Sequence, residues 1–180
     1  EGPPLKLLVM SATLDGEAVA SLLGDAPLVT SGGRQFPVDA LYGPAYQMRD
    51  PLTSPVVATI QRALREQRGS ILVFLPGQRE IKAVARELAN ALPGEGEDPL
   101  LIAPLYGSLS LAQQQQAIEP APEGRRKIVL ATNVAETSLT IEGIQVVVDS
   151  GLVREAVFDP ATGMTRLATR RVSRASATQR

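Results

Sequence analysis

Short apolar runs alternate with stretches of helical spacing along most of this chain. Leu7-Leu8-Val9-Met10 reads as a buried strand, and Asp15 to Leu23 as a helix stopped by Gly24. Pro27 to Thr30 and Val38 to Tyr42 read as short strands on either side of a break at Ser31-Gly32-Gly33. Pro44 to Pro55 holds three prolines and few apolar residues, so it reads as a linker that leads into a helix. From Val56 to Gln67 the spacing of Val57, Ile60 and Leu64 predicts one apolar helix face, ended by Gly69.

Ile71-Leu72-Val73-Phe74-Leu75 is fully apolar and predicts a buried strand. Gln78 to Leu92 follows as a helix striped by Ile81, Val84, Ala85 and Leu88. After an acidic loop from Pro93 to Pro99 come a strand from Leu100 to Tyr106 and a helix from Ser110 to Ile118, with Ser110 placed to cap it. A turn at Pro120 to Gly124 leads to strand Lys127 to Leu130, a polar run, and strand Val146 to Asp149. Repeated strand–helix–strand order with continuous apolar strands predicts an α/β fold, a parallel sheet covered by helices. The end differs. Val153 to Phe158 and Met164 to Val172 flank Asp159-Pro160-Ala161-Thr162-Gly163, which predicts a β-hairpin.

Composition narrows the chemistry. Of 180 residues 44% are hydrophobic but only 3% aromatic, so the core must be aliphatic. The chain has no Cys and no His, which excludes disulfides, Cys or His metal sites and His-based triads. No metal ligands are singled out. No apolar run approaches the ~18 residues needed to span a membrane. Glu1-Gly2-Pro3-Pro4 lacks the layout of a signal peptide, and a cytoplasmic location is expected. Net charge is −1, so no global field draws the chain to nucleic acid. From Gly151 to Arg180, however, six Arg stand against Glu155 and Asp159. That is either a solvated segment or an anion-facing one.

Small polar groups cluster where strands end. The densest cluster is Ala131-Thr132-Asn133-Val134-Ala135-Glu136-Thr137-Ser138-Leu139-Thr140-Ile141-Glu142-Gly143. Short polar groups there suit the carboxyl edge of a parallel sheet, where such folds bind ligands. Thr132, Asn133 and Thr137 are short donors suited to phosphates and ribose hydroxyls, giving affinity without base specificity. Glu136 reads as a helix cap or an internal hydrogen-bond partner, with a structural role preferred. Ser11-Ala12-Thr13 can end a strand and cap the helix that begins near Asp15. Pro76-Gly77 makes a tight turn whose amides either close the turn or meet a phosphate near a helix N-terminus. Ser108 and Ser110 either cap a helix or donate to phosphate oxygens.

Taken in order, these segments resemble the motifs of the DEAH-box ATP-dependent helicases of superfamily 2. Ser11-Ala12-Thr13 resembles motif III, Phe74-Leu75-Pro76-Gly77 motif IV, and the polar run motif V. Ser176-Ala177-Thr178-Gln179-Arg180 resembles the start of motif VI, without the later arginines. Residues Ala117 to Asn133 and Phe158 to Leu167 look like the bacterial HrpB group of that family. The resemblance implies the end of a first RecA-like domain over residues 1–32, an interdomain linker over 33–50, and most of a second RecA-like domain over 51–180. It also implies helices on both faces of the sheet, as in P-loop NTPases, and a hairpin that parts the duplex or, more plainly, closes the sheet edge.

By the same resemblance Ser11, Thr13 and Ser138 couple nucleotide state to movement. Gln179 orients the attacking water, as in other phosphoryl transfers. Arg79, Ser108, Thr132, Asn133 and Thr137 hold the nucleic-acid backbone. The implied whole is a helicase that couples ATP hydrolysis to movement along a single strand, RNA rather than DNA. ATP and Mg2+ belong to the intact parent, and the first RecA-like domain of the same chain is the expected partner. No Gly-x-x-x-x-Gly-Lys-Ser/Thr loop is present, so this piece alone is expected not to hydrolyse ATP or to hold a cofactor tightly. The alternative is a RecA-like module that binds nucleic acid or protein without catalysis.

Overall fold

Four of the apolar runs pair into one sheet: β1 (Ser70–Phe74), β2 (Leu100–Leu105), β3 (Arg126–Ala131) and β4 (Ile144–Asp149), in the order β2-β3-β1-β4. All neighbours are parallel, and Val73 lies between Leu130 and Val148. The structure is a computed structural model that describes residues 5–10, 16–30, 36–43, 47–91, 100–137 and 140–180. Its contacts divide the chain into two units, Glu1–Tyr42 and Gly43–Arg180.

The sheet lies in the second unit and is covered on both faces. Side chains alternate across a strand, so each apolar run feeds two cores. Ile71, Val73, Ile128, Leu130 and Val148 pack on one face against helices α2 (Thr53–Glu66) and α3 (Gln78–Ala91). Leu72, Phe74, Leu105, Val129 and Ala131 pack on the other, with Ala117 of α4 (Leu111–Ile118) and Ala135 of α5 (Val134–Thr137). This is the α/β fold expected from the strand–helix order, with helices on both faces as the resemblance to a RecA-like domain implies.

Several boundaries differ from the sequence reading. Helix α2 starts at Thr53, three residues before the expected Val56, so the helix entry at Pro55 is already inside its first turn. A proline is tolerated there because the first N–H groups of a helix have no partner to lose. Part of the polar run coils into α5. A further helix, α6 (Arg174–Gln179), is capped by Ser173, whose Oγ accepts from the Ser176 amide at 3.1 Å. Ser110 caps α4 as expected, and Gln113 reaches back to complete a capping box.

The hairpin forms from β5 (Leu152–Asp159) and β6 (Met164–Arg171), paired antiparallel. Asp159 starts its turn by accepting from the Ala161 amide through Oδ1 and from Gly163 through its carbonyl. Gly163 closes the turn at a φ of 65°, a region that side chains disfavour.

The first unit does not match the expectation. Helix α1 (Gly16–Leu22) forms, but Leu7–Met10, Pro27–Thr30 and Val38–Tyr42 are not strands. A strand needs a neighbour for its backbone groups, and no described strand pairs with them. Leu28 instead lies against α1, its Cδ1 2.8 Å from where a Cβ on Gly16 would stand. No described helix is long and apolar enough to cross a membrane.

Candidate nucleic-acid interface

Backbone hydrogen bonds carry the sheet one residue past its strands, and so define its carboxyl edge. The Thr132 amide donates to Leu105 at 3.2 Å, Leu75 to Ala131 at 2.8 Å, and Ser150 to Phe74 at 3.2 Å. Parallel pairing brings the segment after each strand to this one edge. After β2 comes the turn Tyr106-Gly107-Ser108-Leu109, after β1 the Pro76-Gly77 turn, and after β3 Thr132 and Asn133. Ser108 and Asn133 are exposed and Thr132 is half-buried.

Beneath this edge is a buried ionic node. The Arg180 side chain is 2% exposed, and its Nε donates to Glu136 Oε2 at 2.9 Å. Its Nη1 donates to Asp149 Oδ1, also at 2.9 Å. The guanidinium lies 4.6 Å from the centroid of the Phe74 ring, a cation–π distance. The other oxygen of Glu136 accepts from the Ser176 hydroxyl. One side chain thus ties α6 to α5 and to the ends of β1 and β4. Glu136 is the internal hydrogen-bond partner that the sequence suggested.

A second feature lies beside α3. A groove of about 590 Å³ is lined by Met48, Leu52, Arg79, Lys82, Arg86 and Thr169, among others. Arg79, in the first turn of α3, is exposed. Nearby, Arg154 of the hairpin reaches Glu80 at 3.2 Å. Gly77 leaves room for this contact, since a Cβ there would stand 2.8 Å from Arg154 Nη1. Glu80 Oε2 is buried with no hydrogen-bond partner among the described residues.

The opposite end of β3 is held by two cations in succession. Arg126 donates to the carbonyls of Leu64, Gln67 and Gly69, where α2 ends. Lys127 turns to the other face, 1% exposed, and donates to the carbonyls of Ala117 and Glu119, where α4 ends. Both satisfy carbonyls that a helix end leaves open. Burial pushes the Lys127 ammonium below its ordinary pKa, and nearby Glu119 opposes this.

The profile of the helicase conserved C-terminal domain matches residues 55–176, which takes in the sheet, both helical layers and the hairpin. The chain belongs to the helicase C-terminal domain family. It is 55% identical over 178 residues to the ATP-dependent RNA helicase HrpB of Escherichia coli, covering 98% of this chain and 21% of that protein. It is 43% identical over 180 residues to the pre-mRNA-splicing factor ATP-dependent RNA helicase prp22 of Schizosaccharomyces pombe, covering 99% of this chain and 15% of that one. A crystal structure of E. coli DEAH/RHA helicase HrpB superposes with a TM-score of 0.86 at 52% identity, over 98% of this chain and 22% of the other. The resemblance within the family is therefore to the DEAH-box group and to HrpB. This helicase domain spans about a fifth of HrpB's length.

Arg79, Ser108, Thr132 and Asn133 of the helicase domain sit at or beside its carboxyl edge. Thr137 is the last residue of α5, and Gln179 is exposed at the end of α6. Ser11, Thr13 and Ser138 lie outside the described residues. The sequence reading missed Arg180 and Asp149, which meet across 31 positions of chain, and the paired anchors Arg126 and Lys127. A cation directly before a fully apolar strand was the available signal for the anchors.

Proposed function

We propose that this chain is a working part of an ATP-dependent helicase that acts on RNA, in preference to DNA, in the cytoplasm. Residues 1–32 would be the end of its first RecA-like domain, 33–50 the linker and 51–180 most of the second. The observation that carries the reading is the convergence of Thr132, Asn133 and Ser108 on one edge of a RecA-like sheet, with Arg79 beside it. Donors of that kind bind phosphate and sugar without reading bases. RNA helicase activity in the names of HrpB and prp22 supports the same assignment.

In this proposal Thr132, Asn133 and Thr137 hold the strand at its backbone, while Ser108 and Arg79 add phosphate contacts. Ser11, Thr13 and Ser138 couple the grip to nucleotide state, and Gln179 orients water for hydrolysis. The hairpin parts the duplex ahead of the strand. ATP with Mg2+ supplies the driving reaction in the intact parent, whose first RecA-like domain is the partner of this one. The described residues contain no group of three or more acidic, His or Cys side chains able to hold a metal. The sequence carries no Gly-x-x-x-x-Gly-Lys-Ser/Thr loop, so in this proposal the cradle for ATP comes from the rest of the parent and this chain alone is expected not to hydrolyse ATP.

The test is ATP hydrolysis by the intact parent with and without single-stranded RNA, beside Thr137→Ala. Stimulation by RNA that the variant loses is the expected outcome. No stimulation by any strand would overturn the reading in favour of a non-catalytic binding module.

A further inference from the structure

We propose that Arg180 is a positioning residue that transmits strand occupancy from the polar run to α6, an inference that rests on the function proposed above. Its partner Glu136 is one residue before Thr137, and Arg180 itself is one residue after Gln179. The ion pair therefore joins the segment of the proposed strand grip to that of the proposed water-orienting group through immediate chain neighbours. Glu136 holds α6 at two points, Ser176 and Arg180, which are one helical turn apart. Two attachments on one carboxylate resist rotation of either short helix about the other.

The remaining contacts fix the joint to the sheet. Asp149 Oδ1 receives both Arg180 and the Gly151 amide, at 2.9 Å and 2.8 Å, so the same carboxylate also sets the root of the hairpin. The Phe74 ring closes another side of the guanidinium. Arg180 spends Nε and Nη1 on protein carboxylates rather than offering them to a ligand. At 2% and 13% exposure, Arg180 and Glu136 are screened little by solvent, and the fork geometry is one that Lys cannot reproduce. A shift of α5 when a strand binds is thus carried into α6 instead of being absorbed by a loose surface contact.

The test uses the intact parent and oligouridylate. Arg180→Lys keeps the charge and loses the fork; Glu136→Gln keeps an acceptor for Ser176 and loses the ion pair. In each, stimulation of ATP hydrolysis by the strand should fall by about tenfold, a typical coupling between sites. The unstimulated rate and the KM for ATP should stay at the values of the unmodified parent. The double variant should lose no more than either single one, because the two act through one contact. Melting temperatures identify any variant that has lost its fold, and Glu136→Gln, the milder change, then decides. Undiminished stimulation, or equal losses in stimulated and unstimulated rates, would overturn the proposal and leave Arg180 a fold-holding group. An unmodified parent that no strand stimulates would instead sink the functional reading, and this inference with it.

Discussion

Leu7-Leu8-Val9-Met10 and Ile71-Leu72-Val73-Phe74 read alike as sequences but fold differently. In the second, Ile71 and Val73 are 0% exposed between two partner strands. In the first, Leu8 is 80% and Met10 82% exposed, and no strand forms. An apolar run supplies the drive for burial but not the neighbours that receive it. β1 finds β3 and β4 beside it and helices α2 and α3 above it, while the described residues of the first unit offer one helix of seven residues. The same kind of run is thus a core strand in one region and uncovered apolar surface in the other.

Substitution should separate the two regions. Val73→Asp buries an unpaired charge in the sheet and should cost at least about 4 kcal/mol, enough to unfold the second unit. Urea denaturation of the chain measures it; a stable Val73→Asp variant would contradict the core described here.

A smaller effect sharpens what anchors the folded region. Lys127→Met leaves the Ala117 and Glu119 carbonyls without their donor and should cost about 1–3 kcal/mol at neutral pH. The pH dependence has a definite sign. Burial lowers the folded pKa of Lys127, so the unfolded chain binds its proton more tightly. Between that lowered value and the ordinary Lys value of about 10.4, stability rises with pH. The gap between the unmodified chain and Lys127→Met should therefore widen as pH is raised through that window. A constant gap would mean that burial does not govern the proton.

The smallest effect is expected where the pattern promised a strand. Leu8→Asp replaces a side chain already in solvent and should change stability by no more than about 0.5 kcal/mol. A loss near that of Val73→Asp would erase the contrast between the regions.

The sheet was legible because β1, β3 and β4 are continuous Ile, Val and Leu runs, and their length separates them from helices. The capping of α4 was legible from Ser110 and the helical run after it. Helix α6 was not, because its Arg, Ser, Ala and Thr residues carry no apolar stripe; Ser173 and the Arg180 contacts hold it instead. At the candidate site, the motif order brought Thr132, Asn133, Ser108 and Arg79 into view as single positions. Their convergence depends on the strand order β2-β3-β1-β4, which no local pattern encodes. The Glu136–Arg180 pair joins residues 44 apart and leaves no periodic trace at all.

In the proposed function the carboxyl edge grips a nucleic-acid backbone without reading its bases. The most direct measurement is the affinity of the intact parent for two single-stranded RNAs of unrelated sequence, across a salt series, beside a Thr132→Ala/Asn133→Ala variant. Equal affinities that weaken with salt, and a loss of at least about tenfold in the variant, are the predicted result. A strong preference for one sequence, or binding unchanged in the variant, would contradict the account.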